Sequence, residues 1–257
     1  MDFLIICLAA FLTSGLTLFS GFGLGTLLMP VFALFLPVDI AVSLTALVHF
    51  LNNLFKLVLV GRKADRSTVI RFGIPAIVAA FAGAQFLFWL ADGTPWFRYH
   101  LFDQELFILP VKFVIAILMI GFALFELVPR LDHLSFDEKY LPWGGVISGF
   151  FGGLSGHQGA LRSAFLVRSG LAKENFIATG VVIACLVDLS RISVYIVRFS
   201  TSGLKENITI LGAATLSAFL GAYLGNRFIK KVTMKMVQRL VSVLLLGIAF
   251  GLGMGIL

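Results

Sequence analysis

Charge is what this chain has least of. Only 13% of its 257 residues are Asp, Glu, Lys or Arg, and the stretches 72–91 and 207–226 contain none. Each would rise roughly 30 Å as a helix, the depth of a bilayer's hydrocarbon core. No polar stretch outlasts a short loop, which excludes a separate soluble domain. Alternation of polar and apolar residues over about ten positions is missing too, and that excludes a transmembrane β-barrel. Lipid leaves no partner for unpaired backbone groups, so an all-α membrane protein is expected.

Cysteine is nearly absent. Cys7 and Cys185 are the only two, both in apolar segments, which leaves neither a disulfide framework nor a thiolate metal site. No metal and no cofactor is expected. There is no Walker A motif and hence no sign of direct ATP use. The opening run "MDFLIICLAAFLTSGLTLFS" lacks a basic n-region and reads as a retained helix. Acidic residues are fewer than basic ones, 13 against 20. A nucleic-acid partner would need a basic stripe on a soluble face, for which the chain has no room.

What remains is a succession of about ten hydrophobic segments: 3–20, 24–37, 39–60, 68–90, 106–128, 142–155, 159–170, 174–198, 206–229 and 236–256. In each half, two opening segments precede three long ones. The second opener, 24–37 or 159–170, is only about half a bilayer long, so it either crosses obliquely or re-enters. The halves also align at a spacing near 134. "SGLTLFSGFGLG" (14–25) lies over "SGFFGGLSGHQG" (148–159), Thr45 falls on Thr179, and after a one-residue slip Asn53 and Lys56 fall on Asp188 and Arg191. This predicts a first membrane repeat over 1–128, a cytoplasmic linker over 129–141 and a second repeat over 142–257. Five segments is an odd number, so the second repeat is expected to run inverted.

Loop charges agree. With 61–71 taken as cytoplasmic, the inner loops hold Arg62, Lys63, Arg66, Arg71, Arg130, Lys139, Arg168, Lys173, Arg227, Lys230, Lys231, Lys235 and Arg239. The outer loops hold only Arg98, Arg198 and Lys205. By the positive-inside rule both termini then lie outside.

Four basic residues remain within the segments: Lys56, Lys112, Arg162 and Arg191. Lys56 and Lys112 sit near segment ends, where long side chains snorkel to the interface. Asp188, the acid placed well inside a segment, shares a helix face with Arg191 three positions on. That pair either holds the structure together or switches partners during coupling. With Asp188 taken by Arg191, the charge of Arg162 is expected to be met by an exogenous anion.

Arg162 lies in "GLSGHQGALRS" (153–163), about one turn into a short segment whose free N–H groups and dipole favour negative charge. The neighbouring glycines either let a ligand approach the backbone or let helices pack closely. His157 and Gln158 add hydrogen-bonding groups at the same break. In the first repeat the matching tip is "GFGLG" (21–25), and His49, Asn52 and Asn53 form a second polar patch on 39–60. The residues expected to bind substrate are therefore Gly23, Gly25, His49, Asn52, Asn53, Ser155, Gly156, His157, Gln158, Gly159 and Arg162. The expected partners are a small anionic substrate and the lipid bilayer, with protons and a homodimer left open. A competing reading is an intramembrane serine hydrolase, since "GLSG" (153–156) has the form G-x-S-G, with Ser155 as nucleophile and His49 as base.

Two stretches, "SGFGLGTLLMPVFALFLPVDIAVSLTALVHFLNN" and "GGVISGFFGGLSGHQGALRSAFLV", resemble the paired Gly-rich signatures of the TauE/SafE sulfite exporter family, also called the 4-toluene sulfonate uptake permease family. The resemblance spans essentially the whole chain. It implies a bacterial inner-membrane transporter that moves sulfite, sulfoacetate or another organosulfur anion, mostly outward, and it implies no enzyme. The family's second signature often ends in a Gly-Gly-Pro-like tip, where this chain has "GHQGA".

Overall fold

A computed structural model of the chain describes residues 2–17, 24–101, 104–128, 135–199, 204–228 and 234–257. Gly23, Arg130, Lys230 and Lys231 lie outside the described residues. Ten helices follow in order among those described: α1 (Asp2–Thr17), α2 (Leu24–Ala33), α3 (Val38–Val60), α4 (Arg66–Ala91), α5 (Pro110–Leu127), α6 (Leu141–Ser155), α7 (Gly159–Leu166), α8 (Lys173–Phe199), α9 (Leu204–Phe228) and α10 (Met234–Gly253). Spans within α3, α4, α5, α8 and α9 are long and apolar enough to cross a membrane. α2 and α7, at 10 and 8 residues, are not.

Local chemistry sets the boundaries. Asp65 caps α4 by accepting a hydrogen bond from the Thr68 amide at 2.8 Å. Hydrogen bonds from the Thr68 side chain and backbone hold the Asp65 carboxyl below its usual range. Proline stands in the first turn of α5 and of α6, where a missing N–H costs nothing. Gly156, at φ 82°, ends α6 in the left-handed region.

The all-α expectation meets one exception. A short antiparallel hairpin, β1 (Phe97–Leu101) paired with β2 (Gln104–Ile108), occupies the connection between α4 and α5. The helical segment expected from 106 therefore starts at 110. The cause is Pro110, which pushes Leu109 into extended backbone (φ −78°, ψ 142°) and leaves the preceding apolar residues to pair as a strand. The Tyr99 hydroxyl donates to the Met254 carbonyl, and Phe107 lies against Gly255, so the hairpin is tied to the chain beyond α10.

Burial runs opposite to that of a water-soluble fold. Val58 (85% exposed) and Val197 (72%) lie on the surface, while Asn52, Asp188 and Arg191 are each 0% exposed. An apolar exterior around polar groups is what a surrounding lipid phase demands. α1 packs on α9, α5 on α10, α4 on α6 and α8, and α3 on α2, α8 and α9.

The α4–α6 seam is an approach of backbone to backbone. Gly145, Gly149 and Gly153 recur every fourth residue on α6 and face the backbone of Phe72, Ala76 and Ala80 on α4, while Gly83 on α4 returns the contact to Phe150. An added Cβ at any of the four would collide with a carbonyl oxygen. Small residues at this spacing let two helices meet backbone to backbone, the usual packing device inside membranes. Gly153 thus serves helix packing rather than ligand approach.

Candidate anion-binding site

The second break is built by Gly156. Its left-handed backbone turns the chain out of α6, the Gln158 amide donates to the Gly156 carbonyl at 3.0 Å, and α7 begins at Gly159. Ser148 Oγ donates to the Gln158 carbonyl at 3.0 Å and fixes the far side of the turn. Gly25, in the first turn of α2, meets this break directly. A Cβ there would lie 3.2 Å from the Gly156 carbonyl oxygen and 3.8 Å from His49 Cδ2. The N-terminus of α2, the break after α6 and the middle of α3 therefore converge.

Asp188 on α8 lies at the centre of this junction. Arg191, one turn on, donates to Asp188 Oδ1 from Nε at 3.0 Å and from Nη2 at 2.7 Å, and gives Nη1 to the Gly152 carbonyl at 3.0 Å. Gln158 Nε2 donates to the same Oδ1 at 3.3 Å. His49 Nδ1 contacts Oδ2 at 2.6 Å, and Asn53 Nδ2 stands 3.1 Å from His49 Nδ1 and 3.2 Å from its Nε2. A carboxylate only accepts, so Nδ1 carries the proton of that bond and Nε2 is left to accept from Asn53. Arg162 Nη1 donates to Gln158 Oε1 at 3.4 Å, and its guanidinium lies over Gly180. Two buried guanidiniums thus stand beside one buried carboxylate, a formal excess of one positive charge.

This arrangement gathers His49, Asn53, Gln158, Arg162, Asp188 and Arg191 into one hydrogen-bonded cluster, with Gly25, Gly156 and Gly159 at its edge. It also amends the expected pairing. Asp188 is not reserved for Arg191 but shared with His49 and Gln158, and Arg162 lies within its electrostatic reach. Lys56, on the same face of α3, is half-buried within reach of Arg162 and Cys185.

The other expected residues turn elsewhere. Asn52 accepts from Ser14 Oγ of α1 at 3.2 Å, and its Nδ2 is buried with no hydrogen-bond partner among the described residues. His157 stacks on Phe122 of α5, ring centroids 5.0 Å apart, with Nδ1 3.0 Å from the Ser155 carbonyl and Nε2 buried without a hydrogen-bond partner among the described residues. Ser155 Oγ is spent on the Phe151 carbonyl. His49 and Ser155 are not paired.

Sequence reasoning missed Tyr195, Ser14, Ser148 and Thr45. Tyr195 is fully buried and donates to the Gly153 carbonyl. It stands four residues after Arg191 on the same helix face, a spacing that a stripe through 188, 191 and 195 would have revealed. Ser14 and Ser148 had been aligned with each other across the halves, and both prove to bond toward a break or its neighbouring patch. Thr45 Oγ1, one turn before His49, is buried with no hydrogen-bond partner among the described residues. Among the described residues no three His, Cys, Asp or Glu side chains gather as a metal ion would require.

In comparison with known proteins, residues 6–252 match the family described as Sulfite exporter TauE/SafE. No curated protein and no solved structure matched the chain. Apolar helices long enough to span a bilayer and a family match over nearly the whole length agree: this is a multi-pass membrane protein and a member of the TauE/SafE sulfite exporter family.

Proposed function

We propose that the chain is a secondary transporter, running chiefly as an exporter, of a small sulfur-containing oxyanion such as sulfite or a sulfoacetate-like organosulfonate. The observation that carries this reading is the meeting of the N-terminus of α2 with the break after α6, beside a buried cluster of two guanidiniums and one carboxylate. Substrate enters between the N-termini of α2 and α7, with Arg162 as the principal charge and His49, Asn53 and Gln158 as hydrogen-bonding groups. The unpartnered Asn52 Nδ2 and His157 Nε2 supply further polar contacts at the margin.

Alternating access works between two inverted repeats, 1–128 and 142–257, joined by a cytoplasmic linker at 129–141. Helix contacts support this division. If α1–α5 correspond in order to α6–α10, then α1 on α9 is the counterpart of α6 on α4, and α3 on α9 that of α8 on α4. Contacts between loops support the grouping of loops on which the expected orientation in a bacterial inner membrane rests. Lys63 pairs with Glu174, Arg71 with Glu138 and Arg168 with Asp137, which brings the loops assigned to the cytoplasm together on one side. The outer hairpin, in turn, shares a side with Met254. With Cys7 and Cys185 replaced, a cysteine at Lys63 or Asp137 is labelled by an impermeant maleimide only from the cytoplasmic side, and one at Gly93 only from outside. The reverse pattern would overturn the orientation.

Purified protein in liposomes should move labelled sulfite, sulfoacetate or thiosulfate, and carboxylates of the same size more slowly. Failure with every sulfur oxyanion would remove the reading. The serine hydrolase alternative has one contact in its favour, His157 Nδ1 at 3.2 Å from Ser155 Oγ. Against it, the Ser155 hydroxyl is committed to the Phe151 carbonyl, and His49, the base expected for it, is not hydrogen-bonded to it. Covalent labelling of Ser155 by a fluorophosphonate would reinstate it.

A further inference from the structure

We propose that Asp188 is the resident anion of the substrate site, and that its protonation frees the site for a monovalent oxyanion, so that one proton travels with each anion. The proposal rests on the transport reading above and deepens it by naming the coupling ion and the group that carries it.

Consider first what the donors of the junction do. Arg191 Nε and Nη2, Gln158 Nε2 and His49 Nδ1 all point at one carboxylate, from α8, the break and α3. Arg162 bonds to Gln158, a member of the same set. An incoming oxyanion that draws on His49, Gln158 and Arg162 draws on donors that Asp188 already occupies. Two negative groups sharing one set of donors at hydrogen-bond distance repel each other, and the repulsion falls when one takes up a proton.

Charge bookkeeping points the same way. Before substrate binds, the site holds one ionised carboxylate beside two guanidiniums. A site holding a monoanion with Asp188 protonated has the same total charge, so exchange of the one negative group for the other leaves no new charge buried in the membrane interior. A monoanion added beside an ionised Asp188 would place an additional negative charge there, and buried charge without compensation is costly. By linkage, anything that raises anion occupancy raises proton occupancy of Asp188, and the reverse holds equally.

Among the described residues the charged and titratable groups facing Asp188 are few. His49 comes from α3, Arg162 from α7, and Cys185, Arg191 and Tyr195 from α8 itself. α6 presents only carbonyl oxygens, of Gly152 and Gly153, to Arg191 and Tyr195. The arginines stay protonated and the cysteine and tyrosine are neutral at ordinary pH, so the competing proton carrier is His49.

The test uses methanesulfonate, whose own charge is fixed across the working range, and calorimetry on the purified full chain in buffers of different ionisation enthalpy. For the wild type the dissociation constant falls by about tenfold for each unit of pH decrease where Asp188 is ionised, and one proton is taken up per anion. Asp188→Asn binds the anion more tightly than the wild type at mildly alkaline pH, by about tenfold or more, with no pH slope and no proton uptake. A wild type that takes up no proton overturns the proposal, and this holds even if Asp188→Asn fails to fold. A slope that survives in Asp188→Asn but vanishes in His49→Gln assigns the proton to His49 and also overturns it. If neither methanesulfonate nor sulfite binds the wild type at any pH, the transport reading falls and the proposal with it. Binding indifferent to pH removes the proposal alone.

Discussion

Arg162→Ala lowers the affinity for a sulfur oxyanion by roughly a hundredfold, within the range for removing one partner of a buried hydrogen-bonded charge pair. The side chain is 3% exposed and lies beside Gln158 and above Gly180, so water does not substitute for it. Loss of its charge brings the two-guanidinium, one-carboxylate site to neutrality, which removes attraction for an anion without exposing Asp188, whose bonds to Arg191 and His49 persist. The variant therefore folds. Counterflow of labelled sulfite in liposomes and binding in detergent both read the effect. Arg162→Lys restores the charge but not the planar fork, and recovers only a small part of the affinity. Transport by Arg162→Ala at the wild-type rate would reject the site.

A second large effect is structural. Gly153→Val places side-chain carbons where the Ala80 carbonyl stands, on a seam that Gly145 and Gly149 bring equally close. Backbone cannot step aside as a flexible side chain would, so the cost lies at the upper end for overpacking, about 3 kcal/mol. In detergent the melting temperature falls by roughly 10 °C. Gly212→Val on α9 is the control, since an added Cβ there meets nothing within 4 Å, and it leaves the melting temperature near that of the wild type. Equal losses for both would mean that helix propensity, not the seam, governs stability.

Much of this architecture is legible in the sequence because lipid makes composition nearly decisive. Charge-free stretches mark the spanning helices, and the glycines of 153–159 mark the break. The hairpin escaped notice because β1 is mixed in polarity and sits in a connecting stretch, while β2 ends in the apolar Leu106–Ile108 and runs straight into an apolar helix, so hydropathy does not separate strand from helix there; Pro110 was the signal. At the site, residue types identified the members of the cluster but not its centre. Asp188 and Arg191 are three apart on one helix, and that local pairing hid the contacts Asp188 makes with His49, 139 positions away, and with Gln158, 30 positions away. Contacts across such separations follow from how helices are laid beside one another, which no local spacing records.

The glycine seam also bears on how the molecule can deform. Interlocked backbones cannot slide past one another without collision, so α4 and α6 keep a fixed line of contact. α1 and α9 make a second, with Gly221 seated on the Phe11 carbonyl. Each line joins a helix of the first half to one of the second. Movement of one half against the other therefore turns about these two seams, and the contact free to change is the one between α3 and α8, where Asp188 and His49 meet through the tips of their side chains.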